Sequence, residues 1–237
     1  MPEYALYLES GPLRRKTMVH VLDLLGCMVQ GPTTEVAVEA APDAIRTFLR
    51  FLKRHGEAVK PDASFTTKVA VHTTAGKWLG QGDPDGGFAA DTLPLRAEDL
   101  KVYLKRLAWL RADLLEMVSG LSQKQMTAEP ESGGRPVRRI LEHIAGAHYA
   151  YLQGPLSKPQ GLAGSLRAVE QSADIPAALT AFWELANTRL NAITEEERKA
   201  QVRHGVKIWT ARRAMRRILE HEWEHFQEIS RRLDGTA

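Results

Sequence analysis

Two histidines four residues apart, His221 and His225, stand near the C-terminal end of a 237-residue chain. Across residues 208–233, Ala214, Ile218, His221, His225 and Ile229 recur at steps of three or four. In a helix both imidazoles would therefore leave from the apolar face. A helix holds such a pair about 6 Å apart, close enough for one cation to take a nitrogen from each. A third histidine, His143, sits beside Ile140 and Ala147 on a second amphipathic stretch. Three neutral imidazoles leave a divalent cation open positions for water or substrate, as in a catalytic rather than a structural site. Zinc suits this set best, and nickel or iron is also accommodated by histidine-rich donors. The competing reading of each histidine is a packed imidazole satisfied by a neighbouring carboxylate.

The same segment spells His221-Glu222-x-x-His225, formally the zinc-peptidase motif with Glu222 as general base. Those enzymes take their third ligand well downstream, and here Glu228 lies on the same helix. An upstream third ligand favours a helical bundle over a peptidase. In a bundle Glu222, turned about 100° from His221, either orients a ligand or packs beside the core. Arg212, Arg213, Arg216 and Arg217 lead into the histidine pair, and Arg138 and Arg139 into His143. They read either as a solvated face making pairs such as Arg216 with Glu220, or as forks for a carboxylate-bearing substrate. Arg139, Arg213 and Arg217 are the candidates for the second role. His148 shares a face with Leu141, Ile144 and Tyr151 and reads as a core histidine. Trp109, Trp183 and Trp209 read as core.

Positioning these residues requires long helices, and the second half of the chain supplies four. They are predicted at about 97–122, 136–153, 175–193 and 208–233, with no convincing strand between them, as expected for a four-helix bundle over 96–237. The first half has a different period. Residues 4–8 and 17–22 are short runs of β-formers around Ser10 to Lys16, predicting a hairpin. A helix follows from Thr34 to His55, its apolar side Val36, Ala40, Ile45, Phe48, Leu49 and Leu52, with Pro42 a point of kinking or splitting. Residues 65–73 alternate as a third strand. Residues 1–75 thus form an α+β module with a small antiparallel sheet, and 76–95 a linker rich in glycine and proline, pinned by Trp78 and Phe88. Gly80-x-Gly82 lacks the flanking strand and helix of a phosphate loop.

Two resemblances follow from these residues. The run Asp23-Leu24-x-Gly26-Cys27-x-x-Gln30-Gly31 between a strand and a helix with an acidic start resembles the HicB-like antitoxin module over about 4–72, with Leu25 where proline is usual. That resemblance implies a small sheet packed on a helix and a regulatory or dimerisation role. In the second half, Arg139-Ile140-Leu141-Glu142-His143, Trp209 to Arg213 and Leu219-Glu220-His221-Glu222-Trp223-Glu224-His225 resemble the DinB/YfiT-like metal-binding superfamily over about 97–234. Glu224 and Phe226 flank His225 where histidine and arginine are frequent. The likeness implies His143, His221 and His225 as metal ligands. It also implies thiol S-transferase-like chemistry on a small electrophile, with a low-molecular-weight thiol as co-substrate. The alternatives are a non-enzymatic, metal-stabilised binding protein and a zincin-type hydrolase using Glu222.

Composition narrows the partners. Hydrophobic residues make up 43% and charged residues 26% of the chain, the balance of a water-soluble globular protein. Thirty-two cations against 29 anions give no basic excess that would argue for nucleic acid. No apolar run is long enough to span a bilayer, and the start lacks a signal-peptide pattern. The single cysteine, Cys27, forms no internal disulfide and reads as a small buried residue. A small-molecule substrate and a cytoplasmic location are expected, with a homodimer as the candidate assembly and without nucleic acid or membrane.

Overall fold

The computed structural model describes residues 1–11, 16–76, 79–80, 87–131 and 133–234. Two compact units are present, Met1–Thr92 with Arg203–Ile208, and Leu93–Val202 with Trp209–Ala237. The turn expected between the first two strands, Trp78, and most of the Gly80–Gly82 stretch lie outside the described residues.

The first unit runs β1 (Glu3–Gly11), β2 (Lys16–His20), β3 (Met28–Gly31), α1 (Thr34–Arg54) and β4 (Thr66–Thr73). Its sheet has the order β3-β2-β1-β4. The sheet is mixed rather than antiparallel. β2 pairs antiparallel with β1 and β3, whereas β4 lies parallel to β1. The helical crossover between β3 and β4 allows this, because a parallel neighbour needs a long connection. β3 itself, covering Met28–Gly31, was not expected as a strand. Gly31 is dictated by close approach: a Cβ there would lie 2.6 Å from the Ala37 backbone nitrogen.

α1 passes through Pro42 without a break, its start capped by the Thr33 hydroxyl accepting from Val36 N–H. Its buried stripe is Ala37, Ala41, Ile45, Phe48, Leu49 and Leu52. The first half of that stripe is one residue on from expectation. Small alanines face the sheet, leaving Val36 46% exposed. Leu6, Leu8, Met18, Val19 and Cys27 complete this core.

The second unit contains α2 (Ala97–Ser119), α3 (Gln123–Thr127), α4 (Val137–Tyr151), α5 (Leu162–Gln171), α6 (Ile175–Asn191), α7 (Glu195–Lys199) and α8 (Ala211–Leu233). The four long helices are those expected, and α8 packs against both α2 and α4. The expectation of no strand between them is corrected. β5 (Gln201–His204) and β6 (Lys207–Thr210) form a hairpin before α8. Gly205 supplies the left-handed turn, with φ of 62°. Ile208 and Trp209, strand formers, are thereby taken from the predicted helix start. Thr210 then caps α8 by accepting from Arg213 N–H at 3.0 Å.

Leu107, Leu110, Leu114, Ile140, Leu141, Ile144, Phe182, Trp183, Ile218 and Ile229 fill the interior. Trp109 is only half-buried, with the Lys105 ammonium 4.5 Å from its ring centre. None of the described helices is long and apolar enough to cross a membrane.

Candidate metal centre

α8 carries His221 and His225 one turn apart, and the packing of α4 against α8 brings His143 over them. His143 Nε2 lies 3.1 Å from His221 Nε2, which lies 3.2 Å from His225 Nε2. One ligand atom from each of the three falls within 4.8 Å of the others. Tetrahedral ligands at the usual zinc–nitrogen distance of about 2.0–2.1 Å sit roughly 3.3 Å from one another. The two pairs that include His221 match this, and the third would close onto a shared cation from within 4.8 Å. Hydrogen bonding within the trio cannot satisfy it. In the imidazole plane His221 Nε2 offers either one proton or one lone pair, yet it has two nitrogen neighbours. A shared cation resolves that conflict.

A carboxylate fixes one tautomer. His225 Nδ1 lies 2.7 Å from Glu228 Oε2, so Nδ1 carries the proton and Nε2 keeps its lone pair for a ligand role. Glu228 Oε1 accepts in turn from Arg232 at 2.5 Å, and Arg232 also donates to the carbonyl of Arg135. The sequence reading missed this relay. Its signal was present in the spacing, since Glu228 is three residues beyond His225 and Arg232 four beyond Glu228. If Glu228 orients His225, Glu228→Ala should weaken metal binding by about 10–100-fold, as read by competition with a chromophoric chelator. An unchanged affinity would remove Glu228 from the site.

Burial, reinforced by the charges of Arg135 and His225, pushes the His143 pKa down to about 4. Burial, with His225 and His143 nearby, holds His221 well below the usual histidine value. Both rings are therefore neutral donors at neutral pH. A histidine held neutral by the fold favours folding fully above its unfolded pKa of about 6.5. It loses that contribution as pH falls toward its folded value. The metal-free protein should therefore melt at a constant temperature above pH 7 and at falling temperatures between pH 6.5 and 4. His143→Gln should flatten that fall, and identical pH profiles for the two proteins would contradict the assignment.

Glu222 is placed elsewhere. Its carboxylate is gripped by Arg111 of α2 at 2.6 and 2.8 Å, and Oε1 lies 3.1 Å from His148 Nδ1. Arg111 also donates to Asn187 of α6 at 2.6 Å. Four helices thus share one buried polar layer, and the general-base reading of Glu222 gives way to a structural ion pair. His148, expected in the core, is 1% exposed.

The arginines divide. Arg213, Arg216 and Arg217 are buried, not a solvated face. Arg213 lies over the Trp209 ring, and Arg216 meets Glu220 at 2.7 Å. Arg217 reaches Glu220 and the Tyr151 hydroxyl, both at 3.3 Å, and the Tyr151 ring packs edge-on against His221. Of the three proposed substrate arginines, only Arg139 is open to solvent, bonded to Glu142 at 2.6 Å. It lines an open depression of about 630 Å³ with Arg135, Glu142, His143 and Glu170. His143 is thus the histidine of the trio that meets the outside.

With this geometry in place, known proteins provide a comparison. The family model of the DinB superfamily matches residues 106–229, just over half the chain and including all three histidines. Among solved structures, YfiT from Bacillus subtilis aligns at 22% identity over 59% of this chain and 90% of its own, with a TM-score of 0.45. That protein is described as a probable metal-dependent hydrolase with an unusual four-helix bundle topology. No curated protein matches the chain.

Proposed function

Starting from the chain's membership of the DinB superfamily, we propose that it is a divalent-metal-dependent enzyme acting on a small molecule, with His143, His221 and His225 as its metal ligands. The observation carrying this reading is the convergence of three imidazoles beneath a depression that reaches His143. His221 Nε2 lies 3.1 and 3.2 Å from those of His143 and His225, and all three ligand atoms fall within 4.8 Å of one another. Zinc fits three neutral imidazoles best; nickel and iron are the next candidates. When bound, such an ion lowers the pKa of a ligated thiol or water and so supplies a nucleophile at neutral pH.

The chain's own groups set the conditions for that chemistry. Glu228 holds His225 in its donor tautomer, Tyr151 braces the His221 ring, and burial keeps the His143 and His221 imidazoles unprotonated. Thiolate transfer to a small electrophile is the reaction we favour, with a low-molecular-weight thiol as co-substrate. Glu222, with both oxygens held by Arg111, supports this over the peptidase alternative. For the N-terminal unit, a small sheet packed on one helix supports the antitoxin-type module read from sequence, recycled for regulation or dimerisation.

Elemental analysis of the purified protein, followed by assays of an electrophile panel with and without thiols, tests the reading. Thiol-dependent turnover that chelator abolishes and zinc restores is the expected result. Metal-loaded protein that hydrolyses substrates without thiol would replace the transferase reading by a hydrolytic one. Metal-loaded protein inert in both assays would leave the scaffold reading.

A further inference from the structure

The depression over His143 has an unequal set of charges. Arg139 is tied to Glu142, and Glu142 is held a second time by Arg138 at 3.0 Å. Both guanidiniums thus have a carboxylate partner, shared between them. The Arg135 guanidinium lines the same depression yet makes no ion pair or hydrogen bond with any described residue. An arginine fork presents planar donors matched to a carboxylate or phosphate.

Arg135 is also built into place. Gly133 and Gly134 precede it with φ of 79° and 99°, a left-handed turn that glycine adopts without strain. A Cβ on Gly134 would come within 2.9 Å of the Arg232 guanidinium. Arg232 donates to the Arg135 carbonyl and to Glu228, and Glu228 is the partner of His225. One arginine therefore fixes both the orientation of a histidine in the trio and the backbone from which Arg135 projects. Pro136 then starts α4, seven residues before His143. The remaining acid of the mouth, Glu170 on α5, makes no side-chain ion pair with a described residue. It directs an anion away from α5 and toward Arg135.

We infer that the centre takes a substrate or co-substrate bearing an anionic group, a carboxylate or phosphate, which Arg135 binds while another atom of the same molecule meets the metal. This inference rests on the metal reading of the three histidines. It replaces the sequence-derived anion candidates Arg213 and Arg217, whose guanidiniums are buried.

The test uses the full chain loaded with cobalt(II), a spectroscopic substitute for zinc. Two probes of equal size, 3-mercaptopropionate and its uncharged amide, are titrated calorimetrically, with the thiolate-to-cobalt absorption band recorded in parallel. Wild type should bind the acid about tenfold more tightly than the amide, the scale of one charge-assisted hydrogen bond. The preference should shrink at high salt. Arg135→Ala should take up cobalt as wild type does and lose the preference. Arg135→Lys should keep part of it, and Glu170→Gln should increase it. Equal affinities for acid and amide in cobalt-loaded wild type, or an undiminished preference in Arg135→Ala, would overturn the inference while leaving the metal centre intact. Failure of wild type to take up cobalt would overturn the metal reading, and this inference with it.

Discussion

Replacing His225 by alanine should abolish tight metal binding while leaving the bundle folded. The remaining pair, His143 and His221, lacks both the third nitrogen and the imidazole that Glu228 holds. The loss should exceed the roughly 10–100-fold that removing an outer hydrogen-bond partner costs. Cohesion of the unit rests instead on buried leucine, isoleucine and aromatic side chains such as Leu114, Ile144, Phe182 and Ile218. Each contributes about 1.5–3 kcal/mol. Metal adds stability only by preferring the native state, about 4.1 kcal/mol at a thousandfold excess over Kd. His225→Ala should thus melt close to chelator-treated wild type, with no further response to chelator. If the histidines were only packed core groups, chelator would not move wild type at all. The variant alone would then lose stability through a cavity and orphaned polar atoms.

The second large effect is expected far from any ligand role. Arg111 and Glu222 are 5% and 1% exposed and meet at 2.6 Å. Removing one partner strands a buried charge, a loss of about 3–5 kcal/mol. Arg111→Ala and Glu222→Ala should each lower the melting temperature by on the order of 10 °C, at about 2–4 °C per kcal/mol for a chain of this size. The joint change Arg111→Met with Glu222→Leu should recover most of that, because both charges leave together. Strong coupling in that thermal-melt cycle identifies a structural pair. Additive effects, with Glu222→Gln losing activity at full stability, would return Glu222 to a catalytic role.

Periodicity made much of this molecule legible. His143, His221 and His225 lie on apolar helix faces, and a 3.6-residue repeat reports which side of a helix a residue occupies. The same logic misread Arg213, Arg216 and Arg217, because a repeat cannot show that a neighbouring Trp209, Glu220 or Tyr151 would let a guanidinium be buried. Glu222 carried a motif whose chemistry depends on what faces it, and Arg111 faces it from 111 residues away in sequence. The parallel pairing of β4 was likewise hidden, since alternation predicts a strand but not its neighbour's direction. Arg135 escaped notice because its placement depends on Gly133, Gly134 and Arg232 together.

X-ray absorption at the zinc edge of the zinc-loaded protein measures most directly whether three imidazoles hold one divalent ion. One zinc per chain, with about three imidazole nitrogens at 2.0–2.1 Å and a remaining light-atom ligand from solvent, is the predicted result. Zinc bound without an imidazole signature, or the same spectrum from the His143→Ala, His221→Ala, His225→Ala triple variant, would contradict it.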